Sequence, residues 1–178
     1  MKYWIVMDIQ EKYNIVETSN SFSFQPMKPL QQSSKRLLLI IVATGIILTL
    51  FREMLDKTFF FALYIVLSYP FLYCLYDIII TANVRYTFDT SNNLIYRMSP
   101  VSATKKIMKM DEAVIFISSE MGNWYYCLGA RKSQFVKNYM ISENFNSGKK
   151  SRQQQKIYEN HILIKINYMI VSSQDSKS

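Results

Sequence analysis

The chain has 178 residues, of which 49% are hydrophobic and 19% are charged. Its size suits one small globular domain. The apolar fraction excludes a disordered chain, and 15% aromatic residues with only 4 Gly and 4 Pro exclude a collagen-like or low-complexity one. The net charge is +8, and residues 81–178 carry 14 basic residues against 7 acidic ones. Such a basic region indicates an anionic membrane surface, a nucleic acid or an acidic partner.

Residues 1–32 form the first predicted unit, an N-terminal β segment. Its first apolar run is interrupted by Asp8, so we expect no cleaved signal peptide. A free tail with this many aromatic residues would expose apolar surface, so we expect the segment to pack on the domain after the next unit and to add at least one strand to it. The large apolar residues of the segment are Tyr3, Trp4, Ile5, Val6, Tyr13, Phe22 and Phe24.

Residues 33–81 are predicted to form a transmembrane helical hairpin, with spans at about 33–55 and 58–80. Leu37–Phe51 is a charge-free run of 15 residues, and Phe59–Tyr76 is an uncharged run of 18 residues. Aromatic residues lie at both ends of the second run, as in an interfacial belt. A soluble helical hairpin is the alternative, but the rest of the chain has too little apolar surface to cover two such helices.

The short connection between the two runs requires antiparallel helices with both chain termini on one side. More Lys and Arg residues flank the spans on the terminal side than lie in the connection, so the positive-inside rule predicts cytoplasmic termini and a plasma (inner) membrane location. Asp77 could mark a transport path, but we favour an interfacial carboxylate near Arg85. The predicted membrane-interface residues are Lys35, Arg36, Arg52, Lys57 and Asp77.

Residues 82–171 are predicted to form a cytoplasmic antiparallel β barrel or sandwich with a C-terminal helix, which makes the whole chain a membrane α+β protein. Residues 84–98 alternate as a β-hairpin around an Asn-rich turn. Residues 157–170 fit either a final helix or a strand, and we favour the helix because apolar residues recur there with helical spacing. That spacing is carried by Ile157, Ile164, Tyr168 and Val171, together with His161. Residues 172–178 are predicted to be a disordered tail.

This layout resembles small bacterial membrane proteins with a two-helix hairpin and a pleckstrin-homology-like β domain. The resemblance covers roughly residues 35–170 and is carried by the hairpin Tyr86–Arg97, the basic strand Lys105–Ile107 and the closing helix. It implies a seven-stranded barrel capped by a C-terminal helix, and an adaptor or sensing role without catalysis.

Sequence motifs for catalysis are missing: there is no Gly-rich phosphate loop, Gly-x-Ser-x-Gly elbow or His-Glu-x-x-His. We therefore expect no enzymatic activity, cofactor or metal. Cys74 and Cys127 make a poor disulfide framework, which favours a reducing compartment. His161 could be a general base and Asp111–Glu112 a carboxylate pair, but a structural histidine and a solvated turn are the favoured interpretations. For Trp124–Tyr126, packing is favoured over ligand stacking.

Basic groups of the β domain remain as candidate binding residues for anionic lipid or a protein partner. These are Lys105, Lys106, Lys109, Arg131 and Lys132. The resulting hypothesis is a membrane-anchored binding or adaptor module, with an immunity-type protein that neutralises a toxin and a small oligomeric transporter subunit as alternatives. Nucleic acid is not an expected partner because no recognition motif occurs. A homo-oligomer is a further candidate assembly, because a transporter subunit with two spans would have to oligomerise.

Overall fold

A computed structural model describes residues 9–130 and 138–175, and it places a long helical hairpin beside two antiparallel sheets and a helical C-terminus. The strands are β1 (Val16–Glu17), β2 (Ser21–Phe24), β3 (Arg85–Asp89), β4 (Leu94–Ser99), β5 (Ser102–Lys109), β6 (Ala113–Glu120), β7 (Asn123–Ala130) and β8 (Tyr139–Met140). The long helices are α1 (Leu30–Leu50), α2 (Lys57–Ile79), α3 (Lys149–Tyr158) and α4 (Ile164–Asp175). Residues 9–12, in the predicted N-terminal β segment, are also helical. The chain is therefore α+β.

Helices α1 and α2 pack as an antiparallel pair. At one end Ser34 Oγ donates to Asp77 Oδ2, and nearer the other end Thr49 and Tyr64 share a hydrogen bond between their hydroxyls. Helix α1 ends at Leu50, before the position expected from the sequence, because Arg52–Met54 forms a 3-10 turn. The carboxylate of Asp56 then accepts a hydrogen bond from Thr58 N and caps α2. Both helices are long and apolar enough to cross a membrane.

The first sheet has the order β1-β2-β3-β4-β5 and takes strands from both sides of the hairpin. Strand β2, which precedes the hairpin, pairs antiparallel with β3, which follows it; Phe22 lies opposite Phe88 and Phe24 opposite Tyr86. All four of these rings are buried. The sequence alternation in β2 and β3 thus supplies one aromatic face to the core.

The second sheet has the order β6-β7-β8, and a two-residue turn at Met121–Gly122 joins its first two strands. Both turn residues have positive φ, 49° and 78°, as a type I′ hairpin requires. Of the two predicted forms, barrel and sandwich, the closed barrel is not observed: within residues 9–130 and 138–175 no ladder joins the two sheets. A 3-10 turn at Met110–Glu112 carries the chain from β5 to β6 instead, and Met110 is fully buried there.

The C-terminal segment is helical and completes one core shared by both sheets. The sequence spacing identified the helix but not its buried face. Ile162, Ile166 and Ile170 are buried, whereas Ile164, Tyr168 and Val171 are exposed. A π-helical turn at Glu159–Leu163 joins α3 to α4 and changes the phase of the helix surface.

The predicted disordered tail at 172–178 is wrong for its first four residues, because α4 continues to Asp175. Ser172 and Ser173 donate hydrogen bonds to the carbonyls of Met169 and Ile170, and Gln174 Nε2 donates to the carbonyl of Ala113. The two serine bonds lie within α4, and the Gln174 bond fastens the end of the helix to β6. Residues 176–178 lie outside the described part of the chain.

Candidate functional site

The predicted membrane-interface cations lie at the two ends of the helical hairpin. Lys35 and Arg36 are exposed near the start of α1, and Arg52 and Lys57 are exposed around the connection to α2. Between these pairs the surface of both helices is formed by exposed Leu, Ile, Val, Phe and Tyr side chains. The hairpin therefore has an apolar middle with charges at either end.

Asp77 differs from the other predicted interface residues because it is buried, with only 5% of its surface exposed. It accepts a hydrogen bond from Ser34 Oγ at 3.3 Å, while Arg85, the neighbour expected from the sequence, donates to Ser23 Oγ at 3.1 Å. Asp77 lines a cleft of about 430 Å³ between the base of the hairpin and the β domain, together with Tyr76 and Glu143. The carboxylate thus holds the two helices together where they meet the domain.

A chain of polar contacts joins the two connections between the hairpin and the β domain. Asn83 Nδ2 donates to the carbonyls of Ile78 and Ile79 at the end of α2, at 2.9 and 3.0 Å. The carbonyl of Asn83 accepts from Gln25 Nε2 at 3.5 Å, and the side chain of Gln25 accepts from Asn14 Nδ2 at 2.9 Å. This network, here called the junction, fixes the hairpin relative to the sheet.

A second contact fastens the segment before the hairpin to the segment after β8. Glu143 accepts hydrogen bonds from Lys12 Nζ at 2.9 Å and from the hydroxyl of Tyr13. Burial, reinforced by the Glu143 carboxylate, raises the pKa of Tyr13 well above its usual value. Tyr13 therefore keeps its proton to higher pH than an exposed tyrosine does, and it donates that proton in this bond.

The predicted basic residues of β5 are all exposed, but the strand separates them. Lys105 pairs with Arg97 and Lys106 with Tyr96, so these adjacent lysines leave opposite faces of an edge strand. Lys109 pairs with Leu94 at the far end of β4. Arg131 and Lys132 lie outside the described residues. Of the predicted basic residues, Lys105 and Lys106 are thus neighbours along β5, but their side chains leave opposite faces of the strand.

The other chemical candidates occupy packing positions. Trp124 Nε1 donates to Gln155 Oε1 at 3.1 Å, and Tyr126 donates to Glu159 while its ring stacks on Tyr158 at 6.1 Å between centroids. The ring of His161 is bonded through Nδ1 to the carbonyl of Ile157, one helical turn earlier. The Trp124 and Tyr126 contacts dock the C-terminal helices on the second sheet, whereas the His161 contact lies within the helical segment.

Sequence reasoning missed the polar residues at the base of the hairpin, Ser34, Gln25 and Asn83. Each is a common residue in an unremarkable local pattern, and its role depends on a partner that is distant in the sequence, as in the 58-residue separation between Gln25 and Asn83.

Within residues 9–130 and 138–175, no group of three or more His, Cys, Asp and Glu side chains is placed to hold a metal ion. Comparisons of the chain with protein-family models, with curated proteins and with solved structures found no match.

Proposed function

We propose that the chain is a non-enzymatic, membrane-anchored binding module. In this proposal the α1–α2 hairpin crosses the bilayer, and the β domain lies against the cytoplasmic leaflet, where its basic groups contact anionic lipid headgroups. The domain then acts as an adaptor that is held at the membrane surface in a defined orientation.

The observation that carries the proposal is the exposure of the hairpin. In the most apolar 18-residue windows of the two helices, only 11% and 6% of the residues are buried. The core helix of a soluble protein would be mostly buried, because water makes exposed apolar surface unfavourable. A lipid environment removes that cost without a protein partner.

The dimensions of the helices agree with this interpretation. Helix α1 has 21 residues and α2 has 23. At about 1.5 Å per residue these correspond to lengths of roughly 30 and 35 Å, near the thickness of a hydrocarbon core. Lys35 and Arg36 lie within the second turn of α1, where their long side chains can extend to the headgroups.

Charge supports both the orientation and the choice of ligand. The flanking cations are more numerous on the side of the termini, which favours cytoplasmic termini. The β domain begins only a few residues after α2 ends, so its excess of basic residues is held close to that leaflet. Anionic lipids attract basic segments that lie within a Debye length of the surface.

The test is site-directed labelling in intact bacterial cells with a membrane-impermeant thiol reagent. Glu53→Cys, in the connection between the helices, should react in intact cells, and Ser91→Cys, in the β domain, should react only after permeabilisation. The unsubstituted chain is the control, because Cys74 and Cys127 are both buried. Reaction of Ser91→Cys in intact cells would contradict the proposed orientation.

A further inference from the structure

One end of the five-stranded sheet lies next to the connections to the hairpin, and the other end lies away from them. Strand β3 begins at Arg85, shortly after α2 ends at Ile79, and Arg85 pairs with Met98 near the end of β4. Ser99 then pairs with Ser102 across the turn between β4 and β5. The β4–β5 turn therefore lies at the end of the sheet from which the chain leaves for the hairpin.

Strand β2 gives the same result from the other side of the hairpin. Phe24, its last residue, pairs with Tyr86, and the chain then continues to α1. Adjacent strands are about 4.8 Å apart, so the β4–β5 turn lies about 5–10 Å across the sheet from β3. We call this turn, with Met98 beside it, the proximal turn (residues 98–102).

Three of the five residues of the proximal turn are apolar, and all three are exposed. Val101 has 71% of its surface exposed and Met98 has 45%, and Pro100 between them is also exposed. The opposite end of the sheet, the β3–β4 turn at residues 90–93, consists of Thr, Ser and two Asn residues. Turns in water are usually polar, as this distal turn is, so the proximal turn departs from the pattern within one sheet.

Basic side chains lie near the apolar turn. Lys105 and Lys106 follow Ser102 by three and four residues in β5, a distance of about 10–13 Å along a strand. A lysine side chain can extend toward a membrane surface that the turn touches, and the Debye length is about 8 Å. Both charges can therefore interact electrostatically with that surface. Lys109 is about 23 Å along the strand from Ser102 and lies outside that range.

We propose that the proximal turn inserts Met98 and Val101 into the interfacial layer of the leaflet that holds the base of the hairpin, while Lys105 and Lys106 bind the phosphates of anionic headgroups. This inference rests on the proposed membrane anchoring and adds a second attachment point to it. The junction and the turn together would then fix the tilt of the β domain on the membrane.

The test uses the full chain in vesicles, with an environment-sensitive fluorophore on Val101→Cys and, as the matched control, on Ser91→Cys in the distal turn. The vesicles contain either phosphatidylcholine alone or phosphatidylcholine with phosphatidylglycerol. In the anionic vesicles the probe at residue 101 should shift to shorter emission wavelength, and high salt should reverse the shift. The probe at residue 91 should not respond.

A second comparison tests which lysines contribute to binding of the anionic headgroups. Replacing both Lys105 and Lys106 by Ala should lower the equilibrium constant for insertion of the residue-101 probe about thirtyfold, whereas Lys109→Ala should leave it nearly unchanged. If the chain floats with the vesicles but the probe at residue 101 behaves like the probe at residue 91, the inference fails and the anchoring stands. If the chain does not float with the vesicles, both fail.

Discussion

The hairpin and the β domain use the same apolar side chains in opposite environments. Phe88 and Ile95 in the β domain have 0% of their surface exposed, whereas Phe61 and Ile65 in the hairpin have 67% and 71% exposed. The β domain closes its core with its own sheets and C-terminal helix. The hairpin has no such cover from its own chain within the described residues, and in the proposed function lipid covers its apolar surface.

The largest expected effect compares two phenylalanines. Phe88→Ala should lower the free energy of unfolding of the β domain by about 3–5 kcal/mol, because it leaves a cavity between β3 and the core. Phe61→Ala, on the exposed surface of α2, should change it by less than about 0.5 kcal/mol. Denaturant unfolding of the full chain in vesicles, followed by β-domain fluorescence, measures both. Equal effects would remove the distinction between the two regions.

A second comparison uses two exposed isoleucines. Ile65→Arg in α2 should oppose insertion by about 2.5–3.5 kcal/mol, since it places a cation within the hydrocarbon core. Ile117→Arg in β6, where the side chain is 60% exposed, should leave membrane association unchanged. The fraction of each variant that resists alkaline extraction from membranes measures the difference. Full extraction resistance of Ile65→Arg would count against lipid contact at this position.

The third prediction concerns how alkaline pH changes the stability of the β domain through Tyr86, which is buried in its core. Burial raises the pKa of Tyr86 to about 12, and the nearby Arg97 guanidinium partly opposes the shift. In the unfolded chain a tyrosine loses its proton near pH 10, so the unfolded state ionises first. The contribution of Tyr86 to the free energy of unfolding is therefore fully present below about pH 10. It falls by about 1.4 kcal/mol per pH unit between about pH 10 and about pH 12.

The free energy of unfolding of the full chain, measured between about pH 9 and about pH 12, tests whether stability falls as the pH rises. Tyr86→Phe should make the loss of stability with pH shallower, while Tyr13 and Tyr158, whose pKa values are also raised by burial, continue to contribute. An unchanged slope would show that Tyr86 ionises alike in the folded and unfolded chain.

The smallest expected effect lies where the two regions meet. Asn83→Ala removes two hydrogen bonds to the last carbonyls of α2 and should cost about 1 kcal/mol locally. Amide exchange in the last turn of α2 should become about fivefold faster. Asn92→Ala in the distal turn, which loses a side-chain bond to Asp89, is the matched control and should leave α2 exchange unchanged.

Local patterns in the sequence were sufficient for the elements and insufficient for their assembly. The uninterrupted apolar runs located α1 and α2, and the alternation around the Asn-rich turn located β3 and β4. The last helix is confirmed, but the sequence does not identify its buried face, because residues 157–171 contain two apolar stripes and only packing against both sheets selects Ile162, Ile166 and Ile170. The strand spacing predicts a barrel or a sandwich and cannot choose between them, because closure depends on pairing between strands that are distant in sequence.

The candidate binding residues, like the fold, depend on contacts between residues that are distant in the sequence. Lys105 and Lys106 were identified by their charge, whereas the apolar residues of the proximal turn were not singled out because their meaning depends on which end of the sheet they occupy. Asp77 was identified as unusual from its place after an apolar run, but its partner Ser34 lies 43 residues away.

The most direct test of the central claim measures contact between the hairpin and hydrocarbon. A fluorophore on Ile65→Cys and, separately, on Ile117→Cys is followed in vesicles whose lipid tails carry bromine as a collisional quencher. The account predicts strong quenching at residue 65 and little at residue 117, although both side chains are exposed in the structure. Equally weak quenching at the two positions would show that the exposed face of the hairpin does not contact lipid.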